Sequence, residues 1–119
     1  MKNKYKYSIV IPVRNGLSNL KISLPHLLNI SSKRNDVEII LFNNNSSDDI
    51  EIFCKNFLEK FHFFKYYSSS KDLKAGNSLN TALKYTNGDY ISYMGDDDQI
   101  IYDRFDLLDN YLIRYNNPD

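Results

Sequence analysis

Three consecutive carboxylates, Asp96, Asp97 and Asp98, are the sharpest chemical feature of the sequence. Adjacent carboxylates repel, and in a dry site one or two would protonate unless a cation compensated them. No histidine or cysteine lies beside them in the chain, so their hard oxygens select Mg2+, Mn2+ or Ca2+ over zinc. An EF-hand loop fails on spacing, because Ile101 holds the glycine position and Leu107 the bidentate-glutamate position. A divalent ion held by one or two carboxylates keeps open positions for substrate phosphates. The triplet therefore suggests a metal–diphosphate clamp, against the plainer reading of a solvated acidic loop.

Further polar residues collect in three other places. Asn43, Asn44 and Asn45 precede Ser46, Ser47 and Asp48. One of the latter three is expected to cap a following helix. The amides carry both donors and acceptors and can match the edge of a nucleotide base. Pro12, Arg14, Asn15 and Gly16 form a second group, in which Asn15 could start a turn or contact a ribose or base. Lys71 and Lys74 precede Ala75 and Gly76, where a helix start would add free amides for phosphate, although loop lysines are more often merely solvated. Neither His26 nor His62 stands at metal-ligand or triad spacing in the sequence, and Cys54 falls on an apolar stripe and reads as core.

Each group follows a short apolar run. Residues 7–12, 37–42, 62–67 and 90–94 are rich in β-branched and aromatic residues, as strands of a buried parallel sheet are. Between them lie helical stripes: Leu20, Leu24, Leu27 and Leu28; Ile50, Phe53, Cys54, Phe57, Leu58 and Phe61; Leu79, Ala82, Leu83 and Thr86. A fourth stripe, Phe105, Leu108, Leu112 and Tyr115, is stopped by Asn116, Asn117 and Pro118. Pro25 should kink the first helix or make it begin anew. The order β-α-β-α-β-α-β-α implies an α/β fold, with a mostly parallel sheet of four strands and helices on both faces. All four polar groups then lie at the carboxyl ends of the strands, where open α/β sheets bind ligands.

Composition narrows the class. The chain has 119 residues, enough for one domain with a core, and no linker, repeat or low-complexity tract. Fifteen basic residues balance fifteen acidic ones, so no global field points to nucleic acid or an anionic membrane. One cysteine excludes an internal disulfide framework and a cysteine-based zinc site. The apolar run at residues 9–13 is too short for a signal sequence or a membrane span, which favours a cytoplasmic or peripherally membrane-associated protein. The turn at residues 12–16 has one glycine and no GxGxxG, which removes a dinucleotide oxidoreductase. A receiver-type phosphoacceptor domain would carry its acidic cluster near the first strand, whereas here it follows the fourth.

Four segments taken together resemble the N-terminal half of glycosyltransferase family 2, with the Rossmann-like GT-A fold: residues 8–15 (SIVIPVRN), 38–48 (EIILFNNNSSD), 76–83 (GNSLNTAL) and 88–98 (GDYISYMGDDD). The resemblance implies transfer of a sugar from a nucleotide-diphosphate sugar to an acceptor hydroxyl on a glycan or lipid-linked acceptor. It also implies inversion and a place in surface polysaccharide or lipopolysaccharide biosynthesis. By the same resemblance Asp97 and Asp98, with Asp96, match the family's acidic DXD metal motif, and Mn2+ or Mg2+ is the implied cofactor. Asp97 and Asp98 are taken as the metal ligands. Pro12, Asn15, Asn43, Asn44, Lys74, Asn80 and Asp96 are taken as the nucleotide-sugar contacts. Two positions depart from the family pattern: Asn43 stands for the usual Asp, and Leu79 for a frequent Arg, whose place Lys74 could take.

Attack by the acceptor needs a general base. In the resembling family that base lies in the acceptor-binding half, so it is expected downstream of Asp119. Asp103, Asp106 and Asp109 read instead as surface or capping residues of the last helix. Residues 1–119 are thus expected to form a single donor-binding domain, cut before the acceptor half. The competing reading is a non-catalytic nucleotide-binding module or inactive remnant.

Overall fold

A computed structural model describes residues 4–98 and 104–115. Its elements run β1 (Tyr5–Val13), α1 (Leu17–Ser31), β2 (Val37–Asn44), α2 (Ile50–Leu58), β3 (Phe64–Ser69), α3 (Ala75–Leu83), β4 (Gly88–Tyr93) and α4 (Arg104–Arg114). The four strands form one parallel sheet in the order β3-β2-β1-β4. Ile9 pairs with Ile39, Val13 with Asn43, and Tyr7 with Tyr90 on the other side. The fold is the expected α/β alternation. Gln99, Ile101, Asp103 and the helix stop at Asn116, Asn117 and Pro118 lie outside the described residues.

Strand direction fixes which face each helix covers. The chain steps outward from β1 to β2 to β3, then returns to the far side of β1, and right-handed crossovers reverse face at that return. The side chains follow. Tyr5, Tyr7, Ile9, Ile11 and Val13 share a core with Leu20, Leu24, Ile50, Cys54, Phe105 and Leu112 from α1, α2 and α4. On the opposite face Val10 and Phe42 pack against Ala82 of α3. The strand-order reversal lies between β1 and β4, so a crevice opens at their carboxyl ends.

Two expectations are corrected. Of the kink or restart expected at Pro25, the restart does not occur, because a single helix runs from Leu17 to Ser31. Proline removes the bond to the carbonyl four residues earlier, and that residue, Lys21, is exposed to water. Fully buried Leu20, Leu24, Leu27 and Leu28 pack both halves against the same core. The third strand starts at Phe64, because the Phe64 amide donates to Phe61 O (3.0 Å) and closes a turn around His62.

The amino end of the sheet carries a buried polar knot. Glu38 is fully buried, accepts from Ser8 Oγ and the Asn87 amide, and pairs with Lys65 Nζ at 2.9 Å. Ser8 Oγ also accepts from the Gly88 amide (2.8 Å). A Cβ on Gly88 would lie 2.6 Å from Ser8 Oγ, so β4 can enter this closely only on glycine.

A second knot docks α4. Asp109 accepts from Lys6 Nζ (2.8 Å), Tyr7 OH (2.6 Å) and Arg34 Nη2 (2.8 Å), while Arg34 also grips Asp36 through two 2.8 Å bonds. Asp109 is therefore an anchor rather than a surface residue. The Asp106 side chain is 79% exposed.

Candidate functional site

The carboxyl edge is built from four loops, and three of them contain a left-handed residue that is not glycine. Asn15 has φ 57°, Asn45 φ 52° and Lys74 φ 67°. No other described residue, glycines included, has positive φ. Asn tolerates this region, whereas Lys74, with ψ 160°, occupies a region that is essentially glycine's. Such strain persists only where surrounding bonds over-determine it.

Those bonds are present. The Asn15 amide donates to Ser46 Oγ (2.9 Å), and Asn15 Oδ1 accepts from the Ser47 amide (2.7 Å) and hydroxyl (3.1 Å). The Leu17 amide donates to Asp48 Oδ2 (3.1 Å). The cap expected for α2 from Ser46, Ser47 or Asp48 does not form, since Asp49 is its N-cap residue and makes no side-chain bond. These residues reach across to the β1 loop instead, and Asp48 serves the first turn of α1. At Lys74 the amide donates to Asp72 Oδ1 (2.9 Å), and Asp72 also accepts from Asn44 Nδ2 (3.0 Å).

Beside these loops lies a cavity of about 520 Å³, lined by Pro12, Arg14, Asn44, Asp72, Ser78, Tyr93 and their neighbours. Its apolar wall comes from Pro12, Val13, Leu79 and Tyr93. The first turn of α3 contributes Ala75 and Gly76, and that helix end has no side-chain cap. Free amides at a helix N-terminus favour an anion. The hydrogen bond from the Lys74 amide, together with bonds from Lys74 Nζ and Asn44, holds the Asp72 carboxyl below the usual carboxylate range.

The sequence-selected residues divide between several places. Pro12, Asn44 and Lys74 line the cavity. Asn44 is 4% exposed, and its Oδ1 accepts from the Leu73 amide (2.9 Å). Asn43 turns to the other face of the sheet, donates to Tyr66 OH (2.8 Å) and accepts from the Ser46 amide (3.0 Å). Asn15 joins the β1 and β2 loops, and Asn80 lies exposed on α3, outside the lining. Arg14, Asp72, Ser78 and Tyr93 line the cavity without having been selected. Ser78 had a readable signal, a polar residue four positions before buried Ala82 on the inward helix face.

The acidic triplet is split. Asp96 turns to α1, where its Oδ2 accepts from Asn19 Nδ2 (2.9 Å) and its carbonyl from Ser23 Oγ (2.7 Å). Asp97 and Asp98 are exposed. Asp98 Oδ2 accepts from the Gly95 amide (2.8 Å). Asp97 Oδ1 and Asp98 Oδ2 each lie 3.1 Å from where a Cβ would sit on Gly95, so the two oxygens are at most twice that apart. Among the described residues no three His, Cys, Asp or Glu side chains converge on one point. Hard carboxylate oxygens beside a glycine notch are the donor chemistry that Mg2+ or Mn2+ takes together with water and phosphate.

Comparison with known proteins agrees with this architecture. The minor teichoic acid biosynthesis protein GgaB of Bacillus subtilis is 26% identical over 113 residues, which is 95% of this chain and 13% of GgaB. S. aureus TarS 1-349, solved in complex with UDP-GlcNAc, superposes with TM-score 0.82 at 18% identity, over 92% of this chain and 31% of TarS 1-349. The mannosyltransferase PcManGT from Pyrobaculum calidifontis, solved with GDP-Man and Mn2+, gives 0.79 at 15% identity, over 94% of this chain and 33% of its own. The chain thus spans a third or less of these proteins, and the structural likeness establishes a shared GT-A fold. The model of the family described as "Glycosyl transferase family 2" matches residues 8–117, nearly the whole chain, and by that match the chain belongs to glycosyltransferase family 2.

Proposed function

We propose that this chain binds the donor in a nucleotide-sugar-dependent glycosyl transfer, as the donor-binding part of a larger enzyme. The observation that carries this reading is the 520 Å³ cavity at the carboxyl edge, with the uncapped start of α3 in its wall. Its apolar lining suits a nucleoside and its helix amides suit phosphates. Pro12, Asn44 and Lys74 contact the donor directly. Asn15 and Asn43 hold the loops in shape, and Asn80 and Asp96 border the site. Asp97 and Asp98 would hold Mn2+ or Mg2+, which when bound compensates charge on a departing diphosphate. The α3 amides act in the same sense on the nucleotide's negative charge. A cytoplasmic setting, an inverting reaction and an acceptor from surface-polysaccharide synthesis complete the reading. The last is supported by likeness to a teichoic acid protein.

One observation favours a second reading, donor binding without transfer by this chain alone. Asp72 is the carboxylate in the cavity wall, and its bonds to Lys74 and Asn44 stabilise its ionised form, making it a weak base. The acceptor's base would then lie on another segment.

Thermal shifts with UDP, GDP, CDP and dTDP, each with and without Mn2+, test the shared premise. A ligand at about 100 times its Kd adds roughly 2.7 kcal/mol, a rise of about ten degrees for a domain of this size. One nucleotide giving a metal-enhanced rise is the expected result, and no rise with any of the four would sink both readings. Donor hydrolysis or transfer by the isolated chain would decide for the first over the second.

A further inference from the structure

Ser78 presents a buried hydroxyl with nothing to bond. It is 2% exposed and lines the cavity, and its Oγ has no partner. Among the described residues of the cavity wall it is the one with a buried, unpartnered side-chain oxygen. Alanine at that helical position would be better in propensity and would leave no hydroxyl unsatisfied, so the serine is a cost to the empty fold.

The surroundings indicate what would satisfy it. Pro12, Val13, Leu79 and Tyr93 supply apolar and aromatic surface suited to a flat ring. The cations of the wall face Asp72 rather than Ser78, with Arg14 Nε 3.7 Å and Lys74 Nζ 3.3 Å from Asp72 Oδ2. An anion at Ser78 would meet no unpaired cation, whereas the exposed start of α3, one turn earlier, suits phosphate. Leu79 offers no polar atom, so Ser78 is the polar handle of α3 inside the cavity.

We propose that Ser78 reads the base of the bound nucleotide, its hydroxyl, almost without exposed surface in the empty fold, turning about the Cα–Cβ bond to donate to or accept from the polar edge of the heterocycle. This rests on the reading of the cavity as a nucleotide site. A serine hydroxyl does both, so the base selected is the one whose edge completes its bonds.

Calorimetric titration of the 119-residue chain with UDP, GDP, CDP and dTDP, as wild type and as Ser78→Ala, tests it. The wild type is expected to prefer one base. Ser78→Ala should lose about tenfold for that nucleotide and under about twofold for the others, a loss confined to one hydrogen bond. Its melting temperature without ligand should equal or exceed the wild type's. Four equal wild-type affinities, an unchanged preference in Ser78→Ala, a uniform loss across all four nucleotides, or a lower melting temperature would each overturn the proposal. If the wild type binds none of the four, the nucleotide reading falls as well. If it binds and Ser78→Ala matches it, only the role of Ser78 falls.

Discussion

Asp96 is packed onto Gly16, so closely that a Cβ on residue 16 would lie 2.4 Å from Asp96 Oδ2 and 2.8 Å from Val13 Cγ2. Gly16 is the N-cap residue of α1, so Asp96 places its charge at the positive end of that helix. The contact joins the first loop to the last. Gly16→Ala is therefore expected to cost about 1–3 kcal/mol by overpacking. Urea denaturation should show a lower midpoint at unchanged slope, and an unchanged midpoint would mean that the β4–α4 loop yields freely.

Glu38 gives the fold an acid limit. Burial pushes its carboxyl up, but bonds from Ser8, Lys65 and the Asn87 amide together outweigh burial and hold it below the usual range. A carboxylate lowered in the folded state stabilises above its unfolded value, about 4.3, and that contribution is lost as pH falls through the folded value. Asp109 shifts in the same direction and adds to it. Glu38→Gln is expected to cost roughly 2–3 kcal/mol at neutral pH, moderated because Lys65 keeps contact with water. Melting temperatures between about pH 3 and 7 should fall less steeply for Glu38→Gln than for wild type. Parallel curves would locate the acid limit elsewhere.

Asp109→Asn tests how α4 is held. It removes the charge that Lys6 and Arg34 face and weakens the acceptor for Tyr7. A loss of about 1–2 kcal/mol is expected, because the pair groups are partly exposed. Hydrogen exchange should accelerate in α4 and remain nearly constant in β2. Uniform acceleration would mean that α4 and the sheet open as one unit.

Asp97→Asn and Asp98→Asn separate metal binding from loop shape. Asparagine at 98 retains an acceptor for the Gly95 amide, so the turn should persist. Each change should remove most of the Mn2+-dependent gain in nucleotide affinity and leave metal-free affinity within about twofold, since a divalent ion needs the carboxylate charge. Equal Mn2+ gains in wild type and both variants would remove the clamp.

The fold was readable where one element carries its own signal. β1 and β2 are buried on both faces and announce themselves as nearly continuous apolar runs. At Pro25 local rules see the missing donor but not the four buried leucines that carry α1 through without a restart. The site was less readable, because its residues take meaning from partners distant in sequence. Asn43 and Asn44 look alike in the chain, yet alternation sends one to Tyr66 and the other to Asp72. Asp109 looks like a solvated helix residue until Arg34, 75 positions away, is brought beside it. Glu38 alone among these carried a local warning, a charge inside an apolar strand.

The two faces of the sheet are unequally glued. Among the described residues twenty buried ones bind α1, α2 and α4 to one side, whereas Val10, Phe42 and Ala82, with half-buried Tyr67, Leu73, Leu79 and Leu83 around them, form the cluster under α3. Free energy of local opening follows buried apolar contact, so α3, which buries only Ser78 and Ala82 of its own, is held loosely enough to open locally. The cavity lies on that weakly held side, and whatever fills it adds the missing adhesive. Occupancy will therefore be felt less as a change of shape than as a slowing of α3's excursions.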